Sequence, residues 1–242
     1  AKLLNEFPTL ISSDIDKAQL YFKKEQCQLG KTIYHQGGAF YIMDPSASII
    51  SFYLNELLQE DAFVLDLCAA PGGKSISLSF RNPNRIILAN DISFTRAKEI
   101  YHNVERLGLT NILTTSYDPL KLPSILADCI ILDVPCSSSG MFRKEPKMLD
   151  DWSENKVKRL LPIQSQLLNV AYQHLRKGGI LAYSTCSLSI EEDEEQIKAF
   201  LNEHNDCEMI HIKPQEKMIQ GKDKLGIHLI PGIYKGEGIY FA

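Results

Sequence analysis

Two cysteines carry the most suggestive chemistry in this chain. Asp133-Val134-Pro135-Cys136-Ser137-Ser138 follows one apolar run, and Tyr183-Ser184-Thr185-Cys186-Ser187 follows another. Each thiol sits among small polar residues just past a segment with strand character. None of the six cysteines has a partner at CxxC spacing, so neither a zinc site nor a dithiol redox motif is expected. Two thiols in one cleft would instead suit covalent catalysis, in which a thiolate attacks a carbon of the substrate. Taken singly, each also fits a buried structural thiol. For Cys27, Cys129 and Cys207 that is the reading adopted.

A third feature is Asp66-Leu67-Cys68-Ala69-Ala70-Pro71-Gly72-Gly73-Lys74-Ser75, between a short apolar run and a segment with helical spacing. Small residues let backbone approach a ligand closely, and a helix start offers free N–H groups. A phosphate-binding P-loop is excluded, because Cys68 stands where that motif needs its first glycine. The dinucleotide fingerprint fails too, since Cys68 and Ala70 replace its early glycines. Asp91 ends the next apolar run, where an acidic side chain can hold a ribose diol. Each feature alone also fits a tight turn or a helix cap. Together they favour a cofactor that contains adenosine.

These residues need a frame that gathers them. Apolar runs over Ala62–Leu67, Arg85–Ala89, Asn111–Thr115, Asp128–Leu132 and Gly179–Ser184 read as strands. Helical spacing separates them over Lys74–Phe80, Phe94–Leu107, Asn155–Leu175 and Glu191–His204. The alternation predicts a doubly wound, Rossmann-like α/β fold, a parallel sheet with helices on both faces. Sites in such folds gather at the carboxyl ends of the strands. Three of the runs end at or next to Asp66, Asp91 and Asp133. Upstream, Ser46 or Ser48 is expected to cap a helix through Leu57, and residues 12–29 are expected to form a helix closed by Gly30. The expected division is a helical segment over residues 1–34 and a catalytic domain over 35–242.

The chain has 242 residues, 44% of them apolar, enough for one well-buried core. No apolar run reaches membrane-spanning length, and no signal peptide opens the sequence, so a cytoplasmic protein without a membrane partner is expected. The opening Ala1 and the strand-like ending Gly238–Ala242 are expected of a piece cut from a longer chain. Net charge is −4, which runs against the basic surface usual for nucleic-acid binding and calls for a local basic patch. Met141-Phe142-Arg143-Lys144-Glu145-Pro146-Lys147 supplies three cations and an aromatic ring for such a patch. The acidic run Glu191–Glu195 follows Ser189 and reads as a capping box, a structural feature. The six histidines are scattered, and none is assigned a metal or a catalytic role.

One reaction that requires such a thiol is methylation of cytosine at C5. Adding a thiolate to C6 makes C5 nucleophilic enough to attack a methyl group on a sulfonium cofactor. A base must then remove the C5 proton before the thiolate can leave. A neighbouring carboxylate would not favour the thiolate, so Asp133 is expected to face the base at N3.

Together these motifs resemble the Nop/Sun family of RNA cytosine-5 methyltransferases, over roughly residues 35–242. Leu65–Ser75 is similar to that family's cofactor loop, and Asp133–Ser137 and Ser184–Ser187 to two later motifs. Weaker similarities lie at Asp44–Ala47, Arg96, Asn103, Arg106–Gly108 and Lys235–Gly238. The stretch Ser139–Lys144 and the Lys-Gly-Glu-Gly ending look most like the bacterial small-subunit ribosomal RNA enzymes.

The resemblance implies a class I fold with seven strands, the last antiparallel. It makes Cys186 the nucleophile and Cys136 the group that helps release product, with Asp133 beside the target base. S-adenosylmethionine is the implied cofactor, its methionine part held by Cys68, Ala69, Ala70, Pro71, Gly72, Gly73 and Lys74. Asp91 and Arg96 are implied on the ribose side, Asp118 near the adenine, and Asp133 again at the reacting end. The implied partner is RNA, ribosomal in the first instance and transfer RNA as the other choice, with the enzyme acting as a monomer. Such enzymes also carry an RNA-binding domain beside the catalytic one, and none is evident here. Two positions depart from the pattern: His228 stands in place of an arginine, and Gly232 after Pro231 in place of a histidine. The alternatives are a ribosome-assembly factor that keeps the fold without catalysis, and a methyltransferase for protein or a small molecule. The latter leaves the paired thiols unexplained.

Overall fold

The computed structural model describes residues 10–12, 21–23 and 28–242. Three layers form around an eight-stranded sheet. Its strands are β3 (Phe63–Asp66), β4 (Ile86–Asn90), β5 (Ile112–Thr115), β6 (Ala127–Asp133), β7 (Leu175–Thr185), β8 (Ile219–Gln220), β9 (Ile227–Leu229) and β10 (Ile239–Phe241). Their order is β5-β4-β3-β6-β7-β10-β9-β8. The first five in that order are parallel, and β10, β9 and β8 add antiparallel to one edge. The sheet therefore has one strand more than the seven expected, and β8 and β9 are too short to leave a periodic signal in the sequence.

The parallel strands are apolar on both faces, which makes them central. Val64, Cys129 and Ile131 pack on one side, against Ile49, Ile50 and Leu54 of α2 (Pro45–Leu57), Ile76 and Leu78 of α3 (Gly73–Arg81) and Ile100 and Val104 of α4 (Phe94–Leu107). Leu65, Ile130 and Leu132 alternate with them and pack on the other side, with Leu167, Leu168 and Ala171 of α6 (Glu154–His174) and Ile197 and Phe200 of α7 (Glu194–Glu203). Period-two alternation with both faces covered is what a doubly wound sheet requires. Asp44 caps α2 through a bond from Ser46 N at 2.9 Å, so the expected cap moves back by two residues.

The chain order reverses between β3 and β6, and it is beyond the carboxyl ends of strands at such a switch point that doubly wound folds bind ligands. Asp66, Asn90, Asp133 and Thr185 end β3, β4, β6 and β7 along this one edge. The fold thus delivers the predicted motifs to one place.

The helix expected over residues 12–29 is overturned where the chain is described. Leu10–Ser12 (β1) and Tyr21–Lys23 (β2) pair antiparallel, as the adjacent aromatics Tyr21 and Phe22 favour in a strand. Residues 13–20 and 24–27 of that expectation, Cys27 among them, lie outside the described residues, and Gly30, expected to close the helix, sits in a 3-10 turn over Leu29–Lys31. One helical turn, α1 (Ile33–Gln36), follows and is tied to α4. Arg106 Nη1 donates to His35 O at 2.6 Å and to Phe40 O at 3.3 Å.

Candidate active site

The glycine-rich loop is shaped by its ends. Ala69 N donates to Asn90 O at 2.8 Å, and Gly72 N to Ala69 O at 2.7 Å. Gly72 then opens α3 with φ at 101°, a left-handed conformation that favours glycine. From outside, α4 holds the loop carbonyls: Arg96 Nη2 donates to Ala70 O at 2.9 Å and Asn103 Nδ2 to Pro71 O at 3.2 Å. Arg96 and Asn103, seven residues apart on α4, thus both act on the backbone of the loop.

Two buried carboxylates border it. Asp66 accepts from Ser75 Oγ at 2.7 Å, while its Oδ1 is buried without a hydrogen bond. Burial pushes this carboxyl up to about 7, against the bond from Ser75. Asp91 accepts from Ser93 N at 2.9 Å through Oδ1. Its buried Oδ2 has no hydrogen bond, and Arg96 Nη1 lies 3.4 Å from it. Buried acceptors are costly without donors. A ligand with an ammonium group at one end and a diol at the other fits this pair. S-adenosylmethionine has both: Asp66 and the loop could hold its methionine side and Asp91 its ribose. Asp118 is half-buried and caps the turn Pro119–Lys121 through a bond from Leu120 N at 3.1 Å, one strand further out.

At the reacting end the two thiols meet. Cys136 Sγ and Cys186 Sγ lie 3.0 Å apart, and Cys186 N donates to Cys136 Sγ at 3.3 Å. Adjacent parallel strands make this possible, because Asp133 of β6 is paired with Ser184 of β7. The bond from Cys136 holds the Cys186 thiol below its ordinary pKa, helped by Ser138 Oγ at 3.5 Å and the charge of Lys74, while burial opposes. The same bond, then burial, pushes Cys136 well up. One thiol is thus prepared to ionise and the other to keep its proton. Burial pushes Cys68 up to about 12, which leaves it inert in the loop.

Asp133 links the two ends. Lys74 Nζ lies 2.6 Å from Oδ2, and Ser184 Oγ donates to Oδ1 at 2.7 Å. Burial works against the Lys74 ammonium, but Asp133 beside it overrides this and raises its pKa. The Asp133 side chain remains about one-third exposed (36%), so it can still face a substrate.

Residues 53–242 match the family described as 16S rRNA methyltransferase RsmB/F. The chain belongs to that family. Two curated RsmB/F relatives are named ribosomal RNA small subunit methyltransferase F. That of Shewanella piezotolerans is 34% identical over 230 residues, covering 90% of this chain and 48% of the relative. That of Serratia proteamaculans is 32% identical over 227 residues, covering 90% and 47%. The chain therefore spans about half the length of the curated relatives it matches. Among solved structures, a methyltransferase homolog protein from Pyrococcus horikoshii superposes with a TM-score of 0.81 at 26% identity, over 99% of this chain and 79% of that one. NSun6 from the same organism, solved with SFG, superposes at 0.75 and 26% identity, over 93% and 60%.

In this RsmB/F chain the predicted residues fall as follows. Cys136, Cys186, Asp133 and Lys74 form one cluster, and Cys68–Gly73, Asp91 and Arg96 lie together at the neighbouring ends of β3 and β4. Asp66 enters the site as a residue read before only as a strand end; its buried position between loop and sheet gave no separate signal. Arg143 Nη2 donates to Gly236 O at 2.5 Å and Lys144 pairs with Glu237, so both anchor the loop after Cys136 to the last motif while remaining, like Lys147, exposed. His228 is mostly buried on β9, its Nε2 donating to Glu194 Oε1 at 2.9 Å. It serves the packing of α7 rather than the site.

The acidic run is also corrected. The helix starts at Glu194, not Glu191, and Glu192 and Asp193 are fully buried. Glu192 takes donors from both cysteine loops, which draws it out of the capping role expected of it.

Gly140 ties the loop down, its N donating to Cys186 O at 2.9 Å and its O accepting from Gly238 N at 2.9 Å. A Cβ here would come within 2.3 Å of Gly238 O, a backbone atom. Gly140→Ala is expected to cost about 2–4 kcal/mol. Urea denaturation checks it; an unchanged midpoint would show that the two strands of backbone separate freely.

Proposed function

We propose that this chain carries S-adenosylmethionine-dependent methyltransferase activity toward cytosine C5 in RNA, with ribosomal RNA as substrate. The observation that carries this reading is the pair of thiols 3.0 Å apart, one held low and one held high, at the strand edge where Asp66 and Asp91 each keep a buried oxygen without a hydrogen bond.

Cys186, as thiolate, adds to C6 of a cytosine taken out of its stack. Asp133, supported by Lys74 and Ser184, faces the ring as it gains electrons. Lys74 keeps that carboxylate's charge compensated while the site is closed to water. S-adenosylmethionine, when bound, supplies a methyl group activated by its sulfonium centre. Once Cys186 Sγ is bonded to carbon, it no longer takes the Cys136 hydrogen bond, and the main cause of the raised Cys136 pKa is gone. Cys136 then releases its thiol proton to solvent and, as thiolate, accepts the C5 proton, while elimination breaks the bond from Cys186 Sγ to C6 and returns Cys186 as thiolate.

The test is a trap. Cys136→Ala, incubated with RNA and S-adenosylmethionine, is expected to accumulate a covalent protein–RNA adduct that survives denaturing electrophoresis. Adding Cys186→Ala to that variant should remove the adduct. A Cys136 variant that turns over normally and leaves no adduct would sink the division of roles. A folded chain that binds RNA yet neither binds nor uses S-adenosylmethionine would favour an assembly factor.

A further inference from the structure

We infer that Glu192 is a positioning residue that clamps the two cysteine loops together and so sets how Cys136 faces Cys186. Its carboxylate is fully buried and faces four neutral donors. Ser137 N reaches Oε1 at 2.8 Å and Gln164 Nε2 reaches it at 3.0 Å. Ser137 Oγ and Ser187 Oγ both reach Oε2, at 2.5 and 2.6 Å. Ser137 directly follows Cys136, and Ser187 directly follows Cys186. One carboxylate thus bonds the residue after each thiol. Gln164 also donates to Pro135 O at 3.0 Å, which holds the other side of Cys136. Tyr183 OH donates to Glu192 O at 2.7 Å, which fixes the carboxylate's own backbone to β7.

The chemistry of the acceptor matters. Oε2 takes two hydroxyl donors at once, which a carboxylate oxygen can do and an amide nitrogen cannot. Hydrogen bonds to a charged acceptor are short and strong in a buried setting. A simple helix-capping glutamate would face the first turn of α7. This one instead bonds across about 50 residues of sequence to the loop after β6. A thiol–thiol bond of 3.0 Å depends on the placement of both loops, so the clamp acts on the nucleophile through its neighbours.

The reactivity part of this inference needs only the two thiols; its turnover part rests on the proposed methyl transfer. The experiment therefore reads both. Glu192→Gln and Glu192→Asp are purified, checked for folding by thermal melting and titrated with S-adenosylmethionine. Alkylation of Cys186 by iodoacetamide is followed across pH by peptide mass spectrometry. In folded Glu192→Gln the alkylation midpoint is expected to rise by about one pH unit, because the bond from Cys136 is loosened. Turnover on RNA is expected to fall on the order of 10²-fold with cofactor affinity unchanged, as for a misplaced reacting group. Glu192→Asp is expected to recover part of both.

A residue that only stabilises the fold would lower the melting temperature and leave the midpoint in place. An alkylation midpoint within 0.2 units (roughly one-fifth of the expected shift) would overturn the inference. If Glu192→Gln does not fold, Ser137→Ala and Ser187→Ala keep the carboxylate and remove one donor each. Each is then expected to shift the midpoint upward, and no shift in either overturns the clamp. If the parent chain itself shows no turnover, the alkylation profile still decides the clamp, and the failure belongs to the proposed function.

Discussion

Replacing Cys186 with alanine is expected to lower methyl transfer on the order of 10⁴-fold or more, because it removes a covalent nucleophile rather than a weak contact. Cofactor binding should stay within about twofold, since the thiol lies at the reacting end and makes none of the bonds that shape the loop. Cys186→Ser should fare no better: a hydroxyl ionises far above neutral pH, and the bond from Cys136 cannot make up that gap. The pH dependence follows from the sign of the shift. The Cys186 thiol is held below its ordinary value by Cys136, so its thiolate persists to lower pH than an ordinary cysteine would allow. As pH falls through that lowered value the thiolate is protonated and kcat/KM should fall with it. In Cys136→Ala the bond is gone, and iodoacetamide labelling of Cys186 should need higher pH. A Cys186→Ala enzyme that retains a tenth of parental turnover (roughly three decades above expectation) would remove the covalent mechanism.

Why some of this was readable from the sequence and some not has a physical answer. Asp66 and Asp133 stood at the ends of apolar runs, and strand ends in a doubly wound sheet share an edge. Period-two patterning placed the strands, and Phe94–Leu107 was bounded by Ser93, which bonds Arg96 N, and by Gly108 in the left-handed conformation. These signals are local. Glu192 was opaque because an acidic run before a helix is the ordinary appearance of a cap. Two of its partners, Ser137 and Gln164, are brought close only by the pairing of β6 with β7 and by the seating of α6. The anchoring of Arg143 and Lys144 was hidden for the same reason: Gly236 and Glu237, which take them up, lie 93 residues away in sequence. Long-range pairing of polar groups leaves no periodic trace, whereas burial of apolar ones does. Tyr21 and Phe22 failed differently, since a short stretch of mixed polarity supports either element and strand pairing decided it.

Asp91→Ala is expected to weaken S-adenosylmethionine binding roughly 10- to 100-fold, the range for losing hydrogen bonds to a buried charged group. Oδ1 is occupied by Ser93 N, whereas Oδ2 is buried with no hydrogen bond of its own. That oxygen is costly to the fold when no donor reaches it and valuable when a diol does. The two effects separate in one experiment. Without ligand, Asp91→Ala should melt close to the parent, because relief of the unpartnered oxygen offsets the lost bond from Ser93. With ligand, the parent should gain about 2.7 kcal/mol at a hundredfold excess over Kd, and the variant at the same concentration only about 0.4–1.4 kcal/mol. Arg96 gives a control: it touches Asp91 but also holds Ala70 O, so Arg96→Ala should loosen the loop and weaken binding less. Calorimetric titration of the three proteins checks the order. If Asp91→Ala bound within threefold of the parent (roughly 0.7 kcal/mol), Oδ2 would not face the diol, and the carboxylate that ends the β4 edge would be only a turn former for Ser93.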